Sequence, residues 1–164
     1  MAGRWVRRSV LLLVSSMSAG GRSVRLGPRI VRILRGGGWE VAVRLTTPGD
    51  DPAALAAQVA SDSIVAALGG DGYLGAVARG CHDSGALFVP FPGGRGNDLC
   101  RALGIGTDPL ARARDVASLG FVSGTAGDEA VAGRARRATD ALASRVRPVD
   151  GMWVRSRDGV RLAL

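Results

Sequence analysis

The stretch Ser63-Ile64-Val65-Ala66-Ala67-Leu68-Gly69-Gly70-Asp71-Gly72 couples a short apolar run to three glycines and one acid. An apolar run without alternation is what a strand buried on both faces requires, as in a parallel sheet covered by helices. The glycines end that strand, and Tyr73 to Arg79 reads as the helix that follows. The order then repeats. Ala86 to Val89 reads as a strand, Pro90-Phe91-Pro92-Gly93-Gly94-Arg95-Gly96-Asn97-Asp98 as a loop, and a helix runs on to about Leu103.

The same alternation extends in both directions. Ser9 to Val14 reads as a first buried strand ending in a turn at Gly20-Gly21. Arg4, Arg7 and Arg8 ahead of it have the outline of a secretory or twin-arginine leader, but the apolar part is shorter than the usual core of about 7–15 residues, which favours the strand. A helix from Ser23 or Pro28 to Leu34 puts Leu26, Ile30, Val31, Ile33 and Leu34 on one side. Arg22, Arg25, Arg29, Arg32 and Arg35 take the other. Pro28 fits best at its first position, with the preceding turn outside the helix. Trp39 to Leu45 alternates Val41, Val43 and Leu45 against Glu40, Ala42 and Arg44, as a strand does. Thr46 to Asp51 reads as a polar loop, with Asp51 capping a helix that starts at Pro52 and ends near Ala60. A last helix spans Pro109 to Leu119. Strands alternating with helices predict an α/β domain with a mostly parallel sheet in three layers, and ligands of such sheets bind at the carboxyl ends of the strands.

Composition narrows the function. The chain has 164 residues, 46% of them hydrophobic, which supports a globular core. All 22 basic residues are arginine and the net charge is +8, so the surface attracts phosphates or anionic lipid. Nucleic acid ranks low as a partner, because no stacking aromatics stand among the arginines. The longest apolar run, Val10 to Val14, is too short to cross a bilayer. Cys81 and Cys100 suit a reducing cytoplasm. With a single histidine, His82, and no Cys-x-x-Cys, a transition-metal site is not indicated.

The two glycine loops carry the chemistry. Glycines let backbone N–H groups and a helix N-terminus approach a phosphate closely. Asp71 repels a phosphate unless Mg²⁺ lies between them, or unless it takes the proton of an alcohol. A tight turn whose acid caps the next helix would explain one such loop. Two of them on consecutive strands face each other across one cleft, and that pairing favours a ligand site.

Gly69-Gly70-Asp71-Gly72 resembles the GGDGT motif of the diacylglycerol kinase catalytic domain family, which includes sphingosine kinases and bacterial lipid kinases. Pro92 to Ile105 is similar to its P-x-GTGND-F/L-x-R-x-LGI segment. Leu45-Thr46-Thr47 with Gly49-Asp50 resembles its second-strand threonine and the loop after it, and Asp150 stands where the family has a V-D-x-G turn. The resemblance implies a fold like that of phosphofructokinase and NAD kinase, ATP and Mg²⁺ as cofactors, and transfer of the γ-phosphoryl group to a lipid hydroxyl at a membrane surface. It implies a nucleotide site of Thr46, Gly69, Gly70, Gly72, Gly94, Arg95, Gly96 and Asn97. Asp71 and Asp98 would be catalytic and, with Asp150, would form an acidic network around the metal.

The chain also departs from the family. Ser15-Ser16-Met17-Ser18-Ala19 replaces N-P-x-[ST]-G, Tyr73 replaces the threonine of GGDGT, and Gly75-Ala76 replaces the Asn-Glu pair after it. Arg95 stands in place of a threonine. The expected organisation is a nucleotide-binding domain over 1–120, an insertion or flexible segment over 121–147, and at 148–164 the start of a connection to a β-rich C-terminal domain that is missing. Val149 to Val154 and Val160 to Leu164 read as a hairpin turning at Asp158-Gly159. The location implied is cytoplasmic, peripheral to the inner membrane face, and an exposed apolar face would permit a homodimer. The arginine face of the first helix reads as a solvated surface or, less simply, as a contact for anionic lipid. A non-catalytic nucleotide-binding module is the rival reading, and an enzyme like NAD kinase a weaker one, since the GND loop is not part of that pattern.

Overall fold

The computed structural model describes residues 4–119, 121–124, 152–156 and 159–163. Four parallel strands form the centre: β1 (Arg4–Ser15), β2 (Trp39–Thr46), β3 (Ile64–Gly69) and β4 (Leu87–Pro92), in the spatial order β2-β1-β3-β4. The helices are α1 (Arg22–Gly36), α2 (Pro52–Ala57), α3 (Asp71–Ser84), α4 (Asp98–Ala102) and α5 (Pro109–Ala117). A short antiparallel strand, β5 (Phe121–Gly124), pairs with Arg4–Arg7 of β1. This is the expected three-layer α/β fold.

The layers follow from the strand sequences. Val10, Leu12 and Val14 of β1 meet Ile30 and Leu34 of α1 and Ala113, Val116 and Ala117 of α5 on one face. Leu13 of β1 and Val65 and Ala67 of β3 meet Ala56 of α2, Leu74, Val77 and Cys81 of α3 and Cys100 of α4 on the other. Both sides of β1 from Val10 to Val14 and of β3 are therefore covered. Trp39 locks the first layer to the sheet by donating its indole N–H to the Val116 carbonyl at 2.9 Å.

Several boundaries differ from the sequence reading. Pro28 lies inside α1, which begins at Arg22. The ring removes the bond that the Val24 carbonyl would accept, and both residues lie on the exposed side of the helix. Pro90, Phe91 and Pro92 belong to β4 and not to the loop. Leu87 N–H donates to Ser63 O at 2.9 Å and Gly93 N–H to Gly69 O at 2.8 Å. Odd-numbered residues thus face β3, and both prolines turn their missing donor to the outer edge, where the ladder does not need it. Thr46 closes β2, α2 stops at Ala57, and α5 stops at Ala117. The α3 helix is longer than expected and starts on Asp71 itself. Residues 121–124, expected within an insertion or poorly packed helix, are strand β5, while 125–151 lie outside the described residues. The hairpin strands form as β6 (Met152–Ser156) and β7 (Gly159–Ala163), with Gly159, expected in the turn, paired to Ser156 as part of the second strand.

Close helix contact makes a stability prediction. A Cβ on Gly80 of α3 would stand 2.1 Å from the Ala53 carbonyl oxygen of α2, whereas one on Gly75 would meet nothing within 4 Å. Gly80→Ala is expected to cost about 1–3 kcal/mol by overpacking. Gly75→Ala should gain up to about 1 kcal/mol from helix propensity. Urea unfolding of the two variants beside the native chain checks both signs.

Candidate active site

In the order β2-β1-β3-β4 the chain leaves β1 in one direction to form β2 and in the other to form β3. A crevice opens at such a switch point, beyond the carboxyl ends of the strands. Here it is a cleft of about 380 Å³, walled by Ser15 and Ser18 after β1, Thr46 and Asp50 around the end of β2, and Gly70 to Tyr73 at the end of β3. Of the residues named from the sequence, Thr46, Gly70, Asp71 and Gly72 come together in this wall. Gly69 lies directly beneath.

The second loop stands behind the first. A Cβ on Gly94 would stand 2.6 Å from the Gly70 Cα, and one on Gly93 would stand 2.9 Å from the Gly69 backbone nitrogen. Gly93 and Gly94 thus let the second backbone touch the first, a demand separate from any phosphate, whereas a Cβ on Gly69 would strike the Tyr73 ring at 2.5 Å. Gly72 differs, because a Cβ there would enter open space. Asn97 adopts a left-handed conformation at φ 58° and clips the second loop shut. Its Oδ1 accepts from Gly94 N–H at 3.0 Å and its Nδ2 donates to Gly94 O at 3.1 Å, which commits its amide to the protein. Arg95 is exposed and makes no hydrogen bond with another described residue. Asp150 lies outside the described residues.

Asp71 joins the two loops. One of its oxygens accepts the Leu99 N–H of α4 at 2.9 Å, so it caps a helix that belongs to the other loop. Its second oxygen lies 3.1 Å from where a Gly96 Cβ would stand, and an oxygen of Asp98 lies 3.3 Å from the same point. Gly96 therefore leaves both carboxylates their room. The other Asp98 oxygen is engaged by Arg101 at 2.9 Å. Two hard oxygens suit Mg²⁺, which takes one or two carboxylates and completes its shell with phosphate and water. Among the described residues no group of three acids, histidines or cysteines forms a fuller cage.

Sequence reasoning passed over Ser18, Tyr73 and Asp50. Ser18 Oγ accepts Gly70 N–H at 3.1 Å, tying the first loop to the third strand end. It occupies the [ST] place of the degenerate N-P-x-[ST]-G motif, which was the available signal. The residue after it, Ala19, holds φ 46° where the motif has glycine. Thr46 Oγ1 lies 3.2 Å from Val14 O and 3.0 Å from the Tyr73 hydroxyl. Its one proton serves the carbonyl, which can only accept, so the tyrosine donates the second bond. Burial pushes the Tyr73 phenol above its ordinary value. Asp50 accepts from Thr47 N–H and Oγ1, both at 2.8 Å, and is held below the usual carboxylate range by those bonds and by Arg44. The two cysteines stay out of this chemistry: burial raises both thiols, Cys81 to about 12.

Two outcomes follow from the loop geometry. Ala19→Gly should stabilise the fold by roughly 0.5–1 kcal/mol, because relief of a left-handed alanine exceeds the added chain entropy. Asp71→Ala should cost about 1 kcal/mol as a lost cap, whereas Asp71→Asn keeps an acceptor oxygen and should unfold close to the native midpoint. Denaturant titration of the three variants measures both effects.

The profile of the diacylglycerol kinase catalytic domain matches residues 9–123. A comparison with curated proteins finds no match. The matched span takes in the four parallel strands, both glycine loops and the cleft at their ends, and on that extent the chain belongs to the diacylglycerol kinase catalytic domain family.

Proposed function

We propose that this protein is an ATP-dependent lipid kinase that moves the γ-phosphoryl group of ATP to a lipid hydroxyl. The observation that carries the reading is the position of Asp71 in the wall of the strand-end cleft: capped onto α4 through one oxygen, it has its other oxygen, like one of Asp98, within 3.3 Å of the place a Gly96 Cβ would take. Phosphoryl transfer asks little covalent chemistry of a protein and much positioning and charge neutralisation. Bound between Asp71, Asp98 and the phosphates, Mg²⁺ would supply that neutralisation. The amides of Asp71 and Gly72, at the start of the 14-residue α3, would present the positive end of that helix to the cleft. Thr46, its proton held by Val14 O and one lone pair by Tyr73, would offer a remaining acceptor at the opposite wall, suited to a ribose hydroxyl and not to a phosphate. Arg95, exposed and without a hydrogen bond to another described residue, would meet a phosphate from the outer side of the second loop. Asp71 or Asp98 would hold the proton that leaves the acceptor alcohol.

A non-catalytic nucleotide-binding module has one observation in its favour. At the family's Asn-Glu position α3 carries Gly75 and Ala76, which offer the cleft neither amide nor carboxylate. Calorimetric titration with Mg-ATP, run beside transfer of labelled phosphate to a lipid panel, separates the two readings. Native protein should bind Mg-ATP, and Asp71→Asn should weaken it at least tenfold, about 1.4 kcal/mol, with the fold intact. Binding without transfer to any lipid selects the module. Unchanged affinity in Asp71→Asn removes the aspartate from the site altogether. Arg95→Ala should weaken Mg-ATP severalfold and leave the remaining affinity less dependent on salt, as loss of one charge-assisted contact does.

A further inference from the structure

The sheet edge at β2 carries a second concavity that nucleotide chemistry does not use. The α1 helix covers only part of this strand. Val41 is buried, but Val43 and Leu45 on the same side stay 50% and 49% exposed, and Val24 of α1 is 39% exposed. With Pro28, Val31 and the buried Val14 they line an open groove of about 610 Å³. Aliphatic side chains half in water are a cost unless something covers them.

The charge around the groove identifies what does. Arg32 and Arg35 stand on its lining, and Arg35 is steadied by donating to Val41 O at 3.0 Å. Arg22, Arg25 and Arg29 continue along the exposed side of the same helix. The α1 segment contains no acid, and none of its five arginines forms an ion pair with a described residue. A second copy meeting this face about a two-fold axis would set the arginines of one α1 against those of the other, which opposes that pairing. The complement is a surface both negative and able to accept aliphatic groups.

We propose that the α1–β2 face docks on an anionic lipid surface, with Val24, Val43 and Leu45 entering the interface and the arginines meeting lipid phosphates. The geometry gives this docking a purpose that rests on the lipid-kinase reading. The groove ends at Val14 and Leu45, which pair across β1 and β2, and the next pair, Ser15 and Thr46, opens the strand-end cleft. Docking by this face therefore sets the mouth of the cleft, with the 70% exposed Met17 at its lip, level with the lipid.

Vesicle co-sedimentation without nucleotide tests the docking independently of kinase activity. Native protein should sediment with vesicles of mixed phosphatidylcholine and phosphatidylglycerol, and high salt should release it. Arg29→Ala with Arg32→Ala should reduce partitioning at least tenfold, since each arginine near such a surface is worth about fivefold. Leu45→Asp should reduce it comparably. Arg79→Ala, on α3 across the sheet, removes a like charge from the other layer and should leave partitioning unchanged, and Mg-ATP affinity should persist in the double arginine variant. Equal binding to pure phosphatidylcholine overturns the proposal, as does a double variant that partitions like Arg79→Ala. Soluble polyglutamate displacing the protein from vesicles at equal charge would give the face to an acidic protein, and a dimer that Leu45→Asp dissolves would give it to a second copy.

Discussion

Gly93 N–H donates to Gly69 O at 2.8 Å, and around that bond two backbones touch with no side chain between them. A methyl group on Gly93 or Gly94 would push the loops apart, and with them the ends of β3 and β4. Asp71 is held at the same seam, since its cap on Leu99 requires α4 to stand where the second loop delivers it. The cleft therefore depends on the packing of glycine against glycine one layer below it. An acid that caps a neighbour's helix is also restrained in orientation, so its second oxygen is held over Gly96 without a further side chain to aim it.

Much of this was legible in the residues. Unalternating apolar runs at Val10 to Val14 and Ile64 to Leu68 announced strands buried on both faces, and both form the centre of the sheet. Asp51 caps α2 ahead of Pro52, accepting Ala53 N–H at 2.9 Å, and Asp108 repeats the device before Pro109. Proline misled in two places for one reason. Its local rule concerns a missing N–H, and whether that donor is needed depends on which way the position faces once the fold exists. Pro28 on an exposed helix side and Pro90 and Pro92 on an outer edge lose nothing that tertiary structure would have supplied.

The glycine loops were read as phosphate cradles, and the motif gave no means of separating the glycines that make room for a ligand from those that make room for each other. Only Gly72 opens onto empty space, and Gly96 onto carboxylates. Ser18 and Tyr73 were legible as departures from a pattern but not as partners, because their contacts, to Gly70 and Thr46, join separate strand ends that no local spacing relates. Val43 and Leu45 show the converse. Their alternation correctly marked one face of β2, but alternation cannot tell how far a neighbouring helix will reach across it.

The two ends of the sheet differ in what they can recruit. On β4 two of the three outward positions fall to Pro90 and Pro92, so a strand from another molecule approaching that side would find acceptors and, among these three, only the Phe88 donor. No described strand pairs with the far side of β2, and that side keeps its donors, although Arg35 already occupies the Val41 carbonyl. The sheet is thus capped against growth in one direction only. Under conditions that loosen α1, fibre-like or domain-swapped assembly would be seeded from β2, and a proline placed at an outward-facing position there would quiet the protein at high concentration.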